Sequence, residues 1–162
     1  MNTKSIAPDR YERLLAWGAM LMLAVVTIAV VRGEAHWSRV PAFVWVHLAT
    51  IMIALVLTPV MLLSPRGTKS HRTLGTIWLA AMFTTAVISF FVRQTNPGHF
   101  SWIHLLSLFV IIAVPRALWA AKKHQINAHR TAIRGMVTGS LLIAGLFTFP
   151  FGRMLGTWLF GS

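Results

Sequence analysis

Apolar residues fall into five blocks separated by short polar, mostly basic stretches: Leu14 to Val31, Pro41 to Leu63, Leu74 to Val92, Phe100 to Ala121, and Thr131 to about Phe149. A helix rises about 1.5 Å per residue, so each block approaches or exceeds the length that crosses about 30 Å of hydrocarbon. The pattern predicts an all-α, polytopic membrane bundle with five transmembrane helices in a single integral membrane domain, residues 1–162. The first block ends Val31-Arg32-Gly33-Glu34, without the small-x-small pattern of a signal-peptidase site, which predicts a retained first span over 14–31. Pro41 suits the first turn of the second helix, 41–63, and Pro65 with Gly67 marks the turn after it. Asn96-Pro97-Gly98 closes the third block, 74–92. Pro150 and Gly152 interrupt the fifth, and the last apolar piece, Met154 to Phe160, is too short to cross. It is expected to extend the fifth helix past a kink or to lie in the interface.

Within these blocks one unit is written twice. Trp45-Val46-His47-Leu48 returns as Trp102-Ile103-His104-Leu105, and His71-Arg72-Thr73 returns as His129-Arg130-Thr131. His47 and His104 are 57 residues apart, His71 and His129 are 58, and a proline lies between the histidines of each copy, Pro59 and Pro115. The repeat predicts a tandem-duplicated four-helix core of two hairpins, 41–63 with 74–92 and 100–121 with 131–153.

Composition sharpens this picture. The chain is 56% hydrophobic with mean hydropathy +0.68, and its only acidic residues are Asp9, Glu12 and Glu34. A formal charge of +12 would suggest nucleic acid on a soluble fold, but the basic residues cluster in the loops, so no nucleic-acid partner is expected. Lys and Arg beside membrane spans set orientation instead. With an internal N-terminus, Lys4, Arg10, Arg13, Arg66, Lys69, Arg72, Arg116, Lys122, Lys123, Arg130 and Arg134 are inside, against Arg32, Arg39, Arg93 and Arg153 outside. This predicts a multi-pass protein of the cell inner membrane, N-terminus cytoplasmic and C-terminus periplasmic. The chain has no cysteine, which removes disulfides, thiolate sites and iron–sulfur clusters.

Four histidines at matched heights are the candidate chemistry. An ionisable side chain at membrane depth is expensive and is usually turned into the bundle. In an up-down bundle His47 and His104 would face each other near the outer side, and His71 and His129 near the inner side. Two facing imidazoles suit the axial positions of a haem iron. Arg72 and Arg130 follow the inner histidines, and Arg93 and Arg153 end helices at the outer side, so each pair has two arginines at its level, matching two propionates. The same arginines also read as snorkelling anchors. Gly75, Gly135 and Gly139 would let a macrocycle lie against backbone, or pack helices closely. Trp45 and Trp102 suit an interfacial belt.

One histidine on each of four consecutive helices, paired first with third and second with fourth, resembles the di-haem core of the cytochrome b561 family over roughly residues 42–153. The resemblance implies two haem b groups, with His47 and His104 ligating the outer and His71 and His129 the inner. It differs in having five spans where the eukaryotic members usually have six, and in placing the inner histidines at the very start of their helices. No counterpart of that family's ascorbate-binding surface is seen. The wording Ser89-Phe90-Phe91-Val92-Arg93, Phe100-Ser101-Trp102-Ile103-His104-Leu105-Leu106-Ser107 and Ile143-Ala144-Gly145-Leu146-Phe147-Thr148-Phe149 more closely resembles a bacterial group of predicted membrane proteins whose domain has no assigned function.

Three functions follow. The first is transmembrane electron transfer between partners such as quinol, a periplasmic redox protein or a reactive oxygen species. No acid/base pair or substrate pocket is legible, so any enzymatic role is that of a membrane oxidoreductase of cytochrome b type. The second is zinc or copper binding or transport through the same four histidines, with His36 and His99 supplementing the outer pair. The third is a structural subunit, in which the histidines make interhelical hydrogen bonds. A second copy of the chain is a further candidate partner, besides the lipid bilayer itself.

Overall fold

The computed structural model describes residues 7–91, 102–150 and 152–161; Arg93, the Asn96-Pro97-Gly98 turn, His99 and the side chain of Trp102 lie outside the described residues. Every regular element within them is helical. α1 spans Arg10–Arg32 and begins ahead of the apolar block because Asp9 caps it. The Asp9 carboxylate accepts from the Glu12 amide at 2.9 Å and the Glu12 carboxylate accepts from the Asp9 amide at 3.1 Å. That reciprocal pair satisfies two amide donors the helix cannot.

A 3-10 turn, Glu34–Arg39, leads to α2, Ala42–Leu63. α3, Lys69–Ser89, starts where the Thr68 hydroxyl accepts from the His71 amide at 3.1 Å. α4 spans Trp102–Lys122 and α5 Ile126–Gly135. The chain then continues as a π-helical segment, Met136–Ile143, and a short α6, Ala144–Leu146, before α7, Met154–Phe160. α3 and α5 each start five residues before the apolar blocks beginning at Leu74 and Thr131; for α3 the Thr68 cap, and not hydrophobicity, sets the start.

Among the described residues three helices are long and apolar enough to cross a membrane: α1, α2, and His104–Lys122 of α4. α3 has the length, but its first turn carries Lys69, His71 and Arg72. The fifth block is divided among α5, the π segment and α6. Pro59 and Pro115 both lie inside helices.

Consecutive helices pack as neighbours, α1 on α2, α2 on α3, α3 on α4 and α4 on α5, while α7 returns to pack on α1. α7 is therefore a separate short helix folded back against the bundle and not a continuation of the fifth. Small residues make the close approaches: Ala16, Ala19 and Ala29 of α1, Ala54 of α2 and Ala117 of α4 have no exposed surface. Gly33 faces the Trp158 ring so closely that a Cβ there would lie 2.1 Å from it. The opposite face of α1, with Leu14, Trp17, Leu21, Ile28 and Val31, is exposed and apolar, as a lipid-facing helix requires. Trp78 is buried and satisfies its indole N–H on the Thr58 hydroxyl (2.9 Å) and the Ala54 carbonyl (3.2 Å), tying α3 to α2.

Candidate functional site

The starts of α2 and α4 bring His47 and His104 to the wall of one cavity of about 450 Å³. That size lies within the range of small-molecule and cofactor sites. Apolar side chains from five elements form most of its surface, among them Met22 of α1, Leu55 of α2, Met82 of α3, Val110 of α4 and Leu155 of α7.

The polar groups in this wall fall into two kinds. The hydroxyls are satisfied. Thr85 donates to Thr50 at 2.6 Å, Thr50 donates to the His47 carbonyl at 2.9 Å, and Ser89 shares a 2.5 Å hydrogen bond with buried Ser107. These pairs bind α3 to α2 on one side and to α4 on the other, so α3 spaces the two histidine-bearing helices. The ligand-type groups are different: His47 Nδ1 and Arg153 Nε are buried without a hydrogen-bond partner. The backbone of Thr85 is the other neighbour of the His47 ring. The His104 ring lies tilted against Phe90, with centroids 5.6 Å apart.

At the opposite end of the bundle, His71 occupies the first turn of α3, ahead of the apolar run. Burial, then the nearby charges of His129 and Arg66, holds it below the ordinary imidazole value. His129 Nδ1 is 2.9 Å from the Ala117 carbonyl. A carbonyl only accepts, so Nδ1 carries a proton. His71 Nδ1 is buried without a partner.

The arginines here are committed elsewhere. Arg130 grips Glu12 with a fork, Nε to Oε1 at 2.6 Å and Nη2 to Oε2 at 2.8 Å. Arg66 joins the same carboxylate at 2.5 Å, and Arg134 bonds both Glu12 and Asp9. Glu12 is only 1% exposed. The reading of Arg130 as a propionate partner is thus corrected, because a protein carboxylate already holds its fork. Arg72 is exposed and takes no part in this cluster.

The glycines resolve as helix contacts. A Cβ on Gly75 would meet Met61 at 3.2 Å and one on Gly135 would meet Phe109 at 3.3 Å, so they admit neighbouring side chains and not a macrocycle. Trp45 stacks edge-on against Trp37, centroids 5.4 Å apart, and Trp37 donates to the Val30 carbonyl at 3.0 Å, joining the α2 start to the α1 end.

Sequence reasoning missed Glu12 as a central residue. Its signal was there: an acid three residues after Asp9, in capping-box spacing, in a chain where arginine far outnumbers acid.

The donor sets decide what could be held. Among the described residues no group of three or more His, Cys, Asp or Glu is placed to hold a metal ion, so a tetrahedral zinc or copper set is not assembled there. A haem asks the protein for only two axial donors, a flat apolar slot and cationic partners for its carboxylates. The His47–His104 cavity offers two imidazoles, a mostly apolar wall and one arginine, with the orphaned His47 Nδ1 and Arg153 Nε as groups that a ligand there would satisfy. The His71–His129 end fits less well: Arg130 is occupied, and neither histidine lines the cavity.

No curated protein and no solved structure matches the chain. From the first turn of α2 to just beyond α6, over residues 44–149, the sequence matches the family described as Predicted membrane protein (DUF2306), and the chain belongs to that family.

Proposed function

We propose that this protein is a membrane-embedded electron carrier in which His47 and His104 hold one haem b inside the cavity. The observation that carries the reading is the placement of two imidazoles from parallel repeats in the wall of a single, mostly apolar cavity that also contains a buried, unsatisfied arginine nitrogen.

Haem, when bound, supplies a one-electron couple that needs no proton donor from the protein. The chain's own residues supply the rest. His47 and His104 would hold the haem between them, and with both ligands supplied by the protein it would serve electron transfer more than small-molecule activation. Leu55, Met82 and Val110 keep water out and fix a low local dielectric, and Arg153 offers its guanidinium to a carboxylate at the cavity edge. The Thr50–Thr85 and Ser89–Ser107 hydrogen bonds hold the helices at a constant separation.

In this reading α3 and the composite fifth block cross the membrane with α1, α2 and α4, giving five spans, and α2 to α5 carry the duplicated core. The excess of Lys and Arg at the Glu12 end supports a cytoplasmic position for that end and a periplasmic-side cavity in an inner-membrane protein. Quinol or a redox protein is the electron partner. A second haem between His71 and His129 is supported by the orphaned His71 Nδ1 and opposed by the commitment of Arg130, so the proposal is made for the cavity pair.

The test is His104→Ala, expressed with wild type in cells supplied with haem precursor. The variant is expected to insert in the membrane but lose the cavity haem. Full haem content in His104→Ala would refute the assignment.

A further inference from the structure

The family match begins at residue 44 and ends at 149, so it includes neither α1 nor α7. Yet Met22 and Val26 of α1 and Arg153, Met154 and Leu155 at the start of α7 line the cavity. The matched core by itself would leave that cavity without part of its wall. What holds α1 in place then matters to the site.

Along its middle, α1 packs on the bundle through small apolar residues, with Ala16, Ala19 and Ala29 wholly buried, Gly18 opposite Leu142 and Met22 opposite Gly145. In a bilayer such packing gains no hydrophobic driving force, because lipid tails are as apolar as the helix they replace. The first turn is different. Glu12 binds Arg66 in the α2–α3 turn and Arg130 and Arg134 on α5, partners 54, 118 and 122 residues away. Tyr11 adds a 2.6 Å hydrogen bond to Thr138, and Arg134 lies over the Tyr11 ring. The directional ties of α1 to the other helices are thus concentrated at one end, and Val26 lies about 21 Å further along the helix at 1.5 Å per residue.

We propose that α1 is a closing wall of the cavity and that Glu12 is the positioning residue that latches it. A helix is stiff over this length, so freeing its first turn lets the whole rod tilt and separates Met22 and Val26 from the cavity. The biological use of the latch, controlling access to a haem, rests on the function proposed above; the latch itself does not.

Because the chain contains no cysteine, a single engineered thiol reports on one place. Val26→Cys, at a site 3% exposed, reads the α1 wall, and Leu79→Cys, 4% exposed on α3 and away from the cavity lining, reads the rest of the core. Each is combined with native Glu12, Glu12→Gln and Glu12→Ala in the full chain in native membranes, and the rate of labelling by a membrane-permeant maleimide is measured. Loss of a buried ionic partner shifts an opening equilibrium by more than an order of magnitude, so labelling of Val26→Cys should rise at least about tenfold with Glu12→Ala and by less with Glu12→Gln. Leu79→Cys should stay slow in all three.

Unchanged labelling at Val26→Cys in both Glu12 variants would overturn the proposal. So would equal acceleration at Leu79→Cys, which would make Glu12 a fastener of the whole bundle. Neither readout involves haem, so a colourless protein that still shows latch-dependent labelling refutes the haem reading and leaves the latch standing.

Discussion

Glu12 and Arg153 are charged side chains at opposite ends of one bundle, and their surroundings differ in kind. Glu12 is enclosed by three guanidinium groups and a backbone amide, with no hydrogen-bonding capacity left over for a ligand. Arg153 keeps a buried Nε with no partner, and His47 shares its cavity and its deficit. Buried polar groups left unsatisfied are costly, so proteins keep them mainly where something else binds. The Glu12 cluster has the features of a fastening, although His71 Nδ1 at the same end is also unsatisfied, and the cavity end, where two such groups line one cavity, has those of a site.

The sharpest way to break this contrast is to remove histidines at each end. His47→Ala should abolish cavity haem, whereas His71→Ala should leave it in place, measured as haem per chain in purified protein. Equal loss from both would erase the distinction between the ends. Next in size is Glu12→Ala. Removing one member of a buried ion-pair network costs about 3–5 kcal/mol, and the partial exposure of the three arginines puts the expected loss at the low end, read as a fall in Tm. A Tm unchanged by this substitution would deny the network its fastening role.

A third substitution tests the cavity floor. A Cβ on Gly156 would sit 1.7 Å from the Phe149 carbonyl oxygen, so Gly156→Ala must displace α7. Overpacking of this kind costs about 1–3 kcal/mol, and here it should also lower haem content because Arg153 and Leu155 move with α7. The smallest effect concerns pH. The Glu12 amide N–H, and then Arg134, hold the Asp9 carboxyl below its ordinary value of 3.8. A carboxyl lowered on folding adds stability above its unfolded value and loses it as pH falls through the folded one. Wild type should therefore lose more Tm than Asp9→Asn between pH 5 and pH 3, by a small margin because Asp9 is 45% exposed.

Much of the site was legible before the fold. Periodic repetition paired His47 with His104 and His71 with His129, and the structure puts His47 and His104 in the wall of one cavity. The reason is that duplication copies height along a helix, which sequence spacing records directly. The partners of the arginines were not legible. Arg130 and Glu12 are 118 residues apart, and nothing in a linear pattern separates an arginine facing a cofactor from one facing the first turn of another helix. Helix starts at Lys69 and Ile126 were also missed, since polar first turns are invisible to hydropathy although Thr68 is a good cap. The return of α7 onto α1 depends on close packing at Gly33 and Gly156, which a run of apolar residues does not encode.

The most direct measurement is a reduced-minus-oxidised visible spectrum of the detergent-purified chain, with haem per polypeptide quantified, alongside His47→Ala and His71→Ala. The account predicts a b-type difference spectrum in wild type and His71→Ala and its loss in His47→Ala. A colourless wild-type protein, from cells supplied with haem precursor, would contradict it.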